Sequence, residues 1–250
     1  MEIKYLEWNL HAMGGIGYKI PAFICEYINK ADIFVLVEFC MENGWYEFKE
    51  NLKEFDLYCS PYVSKAYNQV CIGIRKEIAN VGYKLLSVVS ANVCDSNIPE
   101  FLQVDITIEN KNLSVIGTRI KTQAGTELQQ FQYLKRRLNS IDLFCCMGDF
   151  NVRYEYMTKQ FPNDVYGPRI TNNYHSFVQE NGDLCGLDWL ISRGVTDVYN
   201  GYSDANDSPY ATYDWSFVDS KNGYGSKTKC DCLNINGLPD HAILKGMIKL

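Results

Sequence analysis

From Ile3 to Leu10 apolar and polar residues alternate as they do in a half-buried strand, and the alternation ends at Asn9. Gly14-Gly15-Ile16-Gly17 predicts a flexible loop, and Pro21 stands where the first turn of a helix reaching about Asn29 would begin. Asp32 to Phe39 is a nearly continuous apolar run ending in Glu38, the pattern of a strand buried on both faces. Trp45 to Phe55 has helical spacing. Tyr58–Tyr62, Gln69–Arg75, Tyr83–Ser90, Phe101–Glu109 and Leu113–Ile120 then read as successive strands. Asn80, Gly82, Asn97, Pro99 and the Glu109-Asn110-Lys111-Asn112 cluster mark the turns.

Glu127 to Ile141 is the clearest helix, with Leu128, Phe131, Leu134 and Leu138 on one face. Its Lys135-Arg136-Arg137 run reads as a solvated face rather than a phosphate patch. Leu143–Met147 predicts a strand, residues 152–183 a loop-rich region, and Leu187–Arg193 a short helix stopped by Gly194. Tyr213–Asp219 and Ala242–Leu250 read as closing strands. This order, strand-helix-strand, antiparallel middle, helix-strand, predicts mixed sheets covered by helices in one domain spanning residues 1–250.

Composition narrows the chemistry. The chain has 250 residues, of which 46% are hydrophobic, enough for a sizeable core. A net charge of −6 supplies no global field for nucleic acid, so a polyanionic substrate would need local cations or a bound metal. The ten cysteines do not read as a disulfide framework. Met1-Glu2-Ile3-Lys4 enters a strand pattern with no charged-then-apolar leader, and Cys145-Cys146 sits in an apolar run. Cys230-x-Cys232 lacks zinc-site spacing. The expectation is a cytoplasmic protein with reduced thiols and no stable membrane association.

Four strand ends carry candidate chemistry. Asn9 ends the first, where a turn asparagine is the bland alternative, and nearby His11 reads as a surface residue. Glu38 is a carboxylate in an apolar run, costly unless paired or metal-bound. Met147-Gly148-Asp149-Phe150-Asn151 runs from a strand into a glycine turn that sets a carboxylate and a carboxamide two residues apart. Asp240-His241 opens the last strand, and Asp214 in Tyr213-Asp214-Trp215 is the candidate to hold the imidazole's other nitrogen.

In that order, Asn9, Glu38, Gly148-Asp149-Phe150-Asn151, Tyr213-Asp214-Trp215 and Asp240-His241 resemble the endonuclease/exonuclease/phosphatase superfamily. That group contains pancreatic deoxyribonuclease, abasic-site repair endonucleases, bacterial sphingomyelinases and inositol polyphosphate phosphatases. The resemblance implies an α/β (α+β) four-layer α/β/β/α sandwich, with two mixed β-sheets face to face and the site at one edge. It implies that Glu38 binds a divalent metal, usually Mg2+ with Mn2+ as substitute, with Asn9 beside it and Asp240 assisting. It further implies that Asp149 activates water, that Asn151 holds the water or a phosphate oxygen, and that His241, oriented by Asp214, donates to a non-bridging oxygen.

Two positions depart from the family. Arg119 falls where many relatives carry histidine or tyrosine; arginine cannot readily donate a proton, but it can grip phosphate oxygens. Pro239 precedes Asp240 where serine is common. The implied function is metal-dependent phosphodiester hydrolysis, with nucleic acid, DNA or RNA, as the expected substrate. Tyr154, Tyr156, Tyr166 and Tyr174 are candidates to stack bases, and Arg153, Arg169 and Lys121 to contact phosphates. The alternatives are a phosphatase or phosphodiesterase on a small or lipid phosphoester (inositol phosphate or sphingomyelin type) and a non-catalytic binding protein retaining the fold.

Overall fold

A computed structural model describes residues 1–15, 19–20, 22–92, 94–122, 125–162, 176–178, 184–195, 211–214 and 241–250; of residues 178, 184 and 211–214 it describes the backbone alone. The first half runs β1 (Glu2–Met13), α1 (Ile24–Ile28), β2 (Ile33–Phe39), α2 (Trp45–Asn51), β3 (Phe55–Cys59), β4 (Gln69–Arg75) and a short hairpin of β5 (Glu77–Ile78) and β6 (Val81–Gly82). The second runs β7 (Lys84–Ser90), β8 (Glu100–Ile108), β9 (Lys111–Arg119), α3 (Glu127–Leu138), β10 (Phe144–Asp149), α4 (Tyr154–Gln160), β11 (Phe177–Val178), β12 (Leu184–Cys185), β13 (Asp188–Arg193), β14 (Ala211–Asp214) and β15 (Ile243–Lys249).

Two large sheets form, ordered β14-β15-β1-β2-β4-β3 and β13-β10-β9-β8-β7. Each contains one parallel pair, β1 with β2 and β9 with β10, and every other pairing is antiparallel. The parallel pairs need crossovers, which pass through α1 and α3. Three apolar clusters separate the layers. Ile3, Tyr5, Val35 and Val37 of the first sheet meet Leu102, Val104, Val115 and Met147 of the second. Leu6, Trp8, Phe34 and Leu36 face the other way, onto Ile24, Ile28 and Phe48 of α1 and α2. Ile116, Phe144 and Cys146 likewise pack on Phe131, Leu134 and Met157 of α3 and α4. The result is the four-layer sandwich of two mixed sheets. No helix among the described residues is long and apolar enough to cross a membrane.

Several local expectations change. Leu187–Arg193 is not a helix: Asp188–Arg193 is β13, paired antiparallel with β10. It is buried along almost its whole length, so it shows no alternation, and a short apolar run of this kind reads equally as helix or strand. Within 152–183, Tyr154–Gln160 is helical rather than loop. The strand expected at Tyr58–Tyr62 instead runs Phe55–Cys59, and the helices after Pro21 and Trp45 are shorter than their periodicity predicted. Leu128 faces solvent; Gln130 is buried instead, donating to Lys121 O and accepting from Lys121 N. Pro21, Ile16, Gly17 and residues 215–219 lie outside the described residues.

Gly148 is not the turn its motif predicted: it lies within β10, paired with Thr118 and Trp189, and the close approach of the strands there depends on its missing side chain. Gly148 has φ +153°, and a Cβ there would stand 1.7 Å from the carbonyl oxygen of Thr118 on the neighbouring strand. Gly148→Ala is therefore expected to cost about 3 kcal/mol or more, a fall in Tm of roughly 6–12 °C for a chain of this size. Thermal and urea unfolding of the variant check this, and an unchanged Tm would show that β9 and β10 can part to admit the methyl.

Candidate active site

One row of charged residues crosses the edge of the second sheet. In register, Glu100 on β8 stands opposite Arg119 on β9, Arg119 opposite Asp149 on β10, and Asp149 opposite Asp188 on β13. Like charges directly across a ladder repel, so the Asp149–Asp188 pairing is unfavourable without compensation. The compensation comes from the facing sheet. Asn9 on β1 donates from Nδ2 to Asp149 Oδ2 at 3.0 Å, Glu38 on β2 ion-pairs with Arg119, and His241, just before β15, places Nδ1 2.7 Å from Asp188 Oδ2.

Asp149 receives donors from several sides. Asn151 gives it a backbone N–H at 2.8 Å (to Oδ1) and a side-chain N–H at 2.8 Å (to Oδ2), and Arg119 Nε stands 4.0 Å from Oδ2. Asn151 sits at φ +52°, a left-handed conformation that asparagine tolerates, and donates also to Ile120 O. Asn9 and Asn151 thus both spend side-chain N–H groups on holding the Asp149 carboxylate. Burial pushes the Asp149 carboxyl from its ordinary 3.8 up to about 7, with His241 pulling it back, Asp188 and Glu38 adding to the rise, and Arg119 opposing it. A carboxyl poised there can accept a proton near neutral pH.

Glu38 occupies a β-bulge at the end of β2, where the register with β4 shifts between Leu36 and Phe39. Its φ of +52° is uncommon for glutamate and costs about 1–2 kcal/mol. Such strain concentrates at functional positions. Arg119 binds Glu100 Oε1 through Nη1 at 3.2 Å as well as Glu38. Burial alone would lower its pKa, but Glu38, Glu100 and Asp149 more than offset this, so the guanidinium stays charged. Burial also lifts Glu100 to about 7, against the pull of Arg119.

Three acids here were not singled out from the sequence. Asp188 occupies the place on His241 Nδ1 that was expected for Asp214. Asp214 pairs through its backbone with Ile243 of β15, and its side chain lies outside the described residues, as does all of Asp240. Asp188 heads an apolar run, the same signal that marked Glu38. Glu100 is the second. Glu7 is the third: it is fully buried, shares strand parity with Ile3, Tyr5 and Asn9, and neither carboxyl oxygen has a hydrogen-bond partner among the described residues. Burial first, then Asp188, pushes its pKa well above the ordinary value; His241 opposes and Asp149 adds to the rise.

Other expected residues play packing roles. Tyr154 packs on Trp189 and Tyr156 on Phe131, and both rings are half-buried. Lys121 Nζ donates to Asp95 O at 2.7 Å. Tyr166, Arg169 and Tyr174 lie outside the described residues.

The donor set suits a hard divalent cation. Glu38, Asp149 and Glu100 converge on a single guanidinium, and Glu100 Oε2 is buried without a partner among the described residues. Carboxylate oxygens in excess of fixed positive charge favour magnesium or manganese over softer metals. Asp149, Asp188 and His241 also offer ligand atoms within 4.8 Å of one another. In both groups an ion would exchange with a contact already made, Asp188 with His241 in the one and Glu38 with Arg119 in the other.

Glu7 and Asp149 hold their protons more tightly in the folded than in the unfolded chain. Their stabilising contribution is complete below the ordinary carboxylate pKa and is lost as pH rises, for Asp149 up to about 7. In chelator, Tm is expected to fall between pH 4 and 7, and Glu7→Gln and Asp149→Asn to flatten that fall. Each group contributes at most about 1.4 kcal/mol per pH unit. A Tm–pH profile of either variant parallel to wild type would contradict this.

No protein-family model and no curated protein matches the chain. Solved structures do. Truncated Caenorhabditis elegans TDP2 aligns with TM-score 0.67 and 13% identity, covering 100% of this chain and 98% of that one. D. rerio TDP2 complexed with single-strand DNA product gives 0.63 and 13%, covering 100% and 99%. An endonuclease/exonuclease/phosphatase from Bacteroides vulgatus gives 0.64 and 11%, covering 100% and 99%. With the whole length matched on both sides, the chain has the fold of the endonuclease/exonuclease/phosphatase superfamily, the group its ordered motifs resemble.

Proposed function

We propose that this chain is a divalent-metal-dependent phosphodiester hydrolase whose substrate is nucleic acid. The observation that carries the reading is the cross-strand row Glu100–Arg119–Asp149–Asp188, faced by Asn9, Glu38 and His241 from the other sheet. Nucleic acid as substrate is supported by the likeness to D. rerio TDP2, whose structure holds a single-strand DNA product.

In this reading Glu38, with Asn9 beside it and Asp240 assisting, holds Mg2+, or Mn2+ in its place. When bound, the ion would neutralise phosphate charge and make water more acidic. Asp149 accepts the proton of the attacking water; its pKa near neutrality suits the task. Asn9 and Asn151 fix the carboxylate's orientation, which phosphoryl chemistry rewards because positioning supplies much of the rate. His241 is oriented at Nδ1 by Asp188, and in this reading it donates to a non-bridging oxygen as charge builds. Arg119 stays charged, so it stabilises phosphate oxygens rather than protonating the leaving group.

The test is an assay of the purified protein with Mg2+ or Mn2+ against plasmid, single-stranded DNA, RNA and an inositol phosphate panel, with chelator as control. Asp149→Asn is expected to lower turnover at least about 10³-fold, and Asp188→Asn about 10²–10⁴-fold in kcat by freeing the wrong imidazole tautomer. Metal-dependent hydrolysis of inositol phosphates alone would replace the nucleic-acid substrate. No metal-dependent hydrolysis of any substrate would leave a binding protein.

A further inference from the structure

We propose that Arg119 is the resident counter-cation of the metal site: it neutralises Glu38 in the metal-free protein, and a divalent ion taking Glu38 displaces it onto Glu100, which keeps it at the site. The inference rests on Glu38 being the metal-binding carboxylate.

The two acids hold different nitrogens of one guanidinium. Nη2 engages Glu38 and Nη1 engages Glu100 Oε1, so losing Glu38 does not detach the side chain from Glu100. Glu100 also has an acceptor in reserve, because its Oε2 is buried without a partner among the described residues. The register supports the same geometry: Glu100 and Arg119 are directly opposed on neighbouring strands, and that relation does not change when Glu38 is taken. Glu38 lies on the other sheet, at a bulge, and is the partner that can be exchanged.

Competition follows from burial. The side chains of Arg119, Glu38 and Glu100 are 15%, 12% and 7% exposed. A charge this withdrawn from water is strongly destabilised when left unpaired. Glu38 therefore needs a cation at all times, and Arg119 needs a carboxylate. A divalent ion and the guanidinium cannot both take Glu38 fully, so metal binding and the Arg119–Glu38 pair are linked with opposite sign. Glu100 makes the exchange possible without stranding the guanidinium. It is a positioning residue, acting through Arg119.

Mn2+ binding, measured by electron paramagnetic resonance and calorimetry on the folded protein, tests this without any substrate. Arg119→Gln is expected to tighten Mn2+ about tenfold or more, and Arg119→Lys to stay near wild type because the competing charge remains. Glu100→Gln is expected to weaken Mn2+ several-fold, since Arg119 then relies on Glu38. In chelator Arg119→Gln should melt below wild type, and its Mn2+-induced rise in Tm should be the larger. Unchanged or weaker Mn2+ binding by a folded Arg119→Gln overturns the inference. If wild type binds Mn2+ and Glu38→Gln abolishes binding, the metal-site reading survives that failure. If wild type binds no Mn2+, both fall together.

Discussion

The sandwich has to close at one end without apolar side chains, and three polar contacts between the sheets do this. Asn9 reaches Asp149, Glu38 reaches Arg119, and His241 reaches Asp188, each joining the first sheet to the second. Lower down, Ile3, Val35 and Val37 hold the sheets together by burial. Directional contacts replace non-directional ones where the strands end. A buried network of this kind is favourable only when nearly every member is satisfied, so each contact constrains the others. Turning Asp149 away would leave donors on Asn9 and Asn151 without their acceptor.

The same constraint explains why the site carries more acid than its own cations balance. Glu7, Glu38, Glu100, Asp149 and Asp188 are gathered where Arg119, His241 and Lys121 are the facing basic groups among the described residues. Burial answers part of the excess by raising the pKa of Glu7, Glu100 and Asp149, which favours their neutral forms. A divalent ion answers it differently, by supplying charge. Structure and the proposed function therefore pull in one direction: the acidic excess that burial must offset is what a divalent ion would neutralise.

Much of this was legible in the chain. Alternation in β1, the apolar run of β2 and the Gly148-Asp149-Phe150-Asn151 motif all located residues that converge in space. What escaped notice had local signals that were ambiguous or needed long-range pairing to interpret. Asp188 was hidden because a strand buried on both faces has no period, so Leu187–Arg193 read as helix and its leading acid went unweighed. Glu7 sits at an inward position between Tyr5 and Asn9, but in an alternating strand a single acid at that parity does not reveal its burial. Glu100 becomes informative only when β8 is paired with β9, which sets it opposite Arg119 across nineteen residues of sequence.

Arg119 is where this site differs most in chemical consequence from one built around a histidine or tyrosine. An imidazole or phenol there could give up a proton to a departing oxygen; a guanidinium surrounded by carboxylates cannot. Its charge is permanent, so its contribution must lie in where that charge is placed at each stage. The nearest demand is Glu38, and under the proposed function a bound phosphate is the second. Glu100 lets one side chain meet both demands, because it holds the guanidinium by a nitrogen that neither of the other partners requires. Arg119 and the buried Glu100 opposite it on the next strand are thus one structural feature.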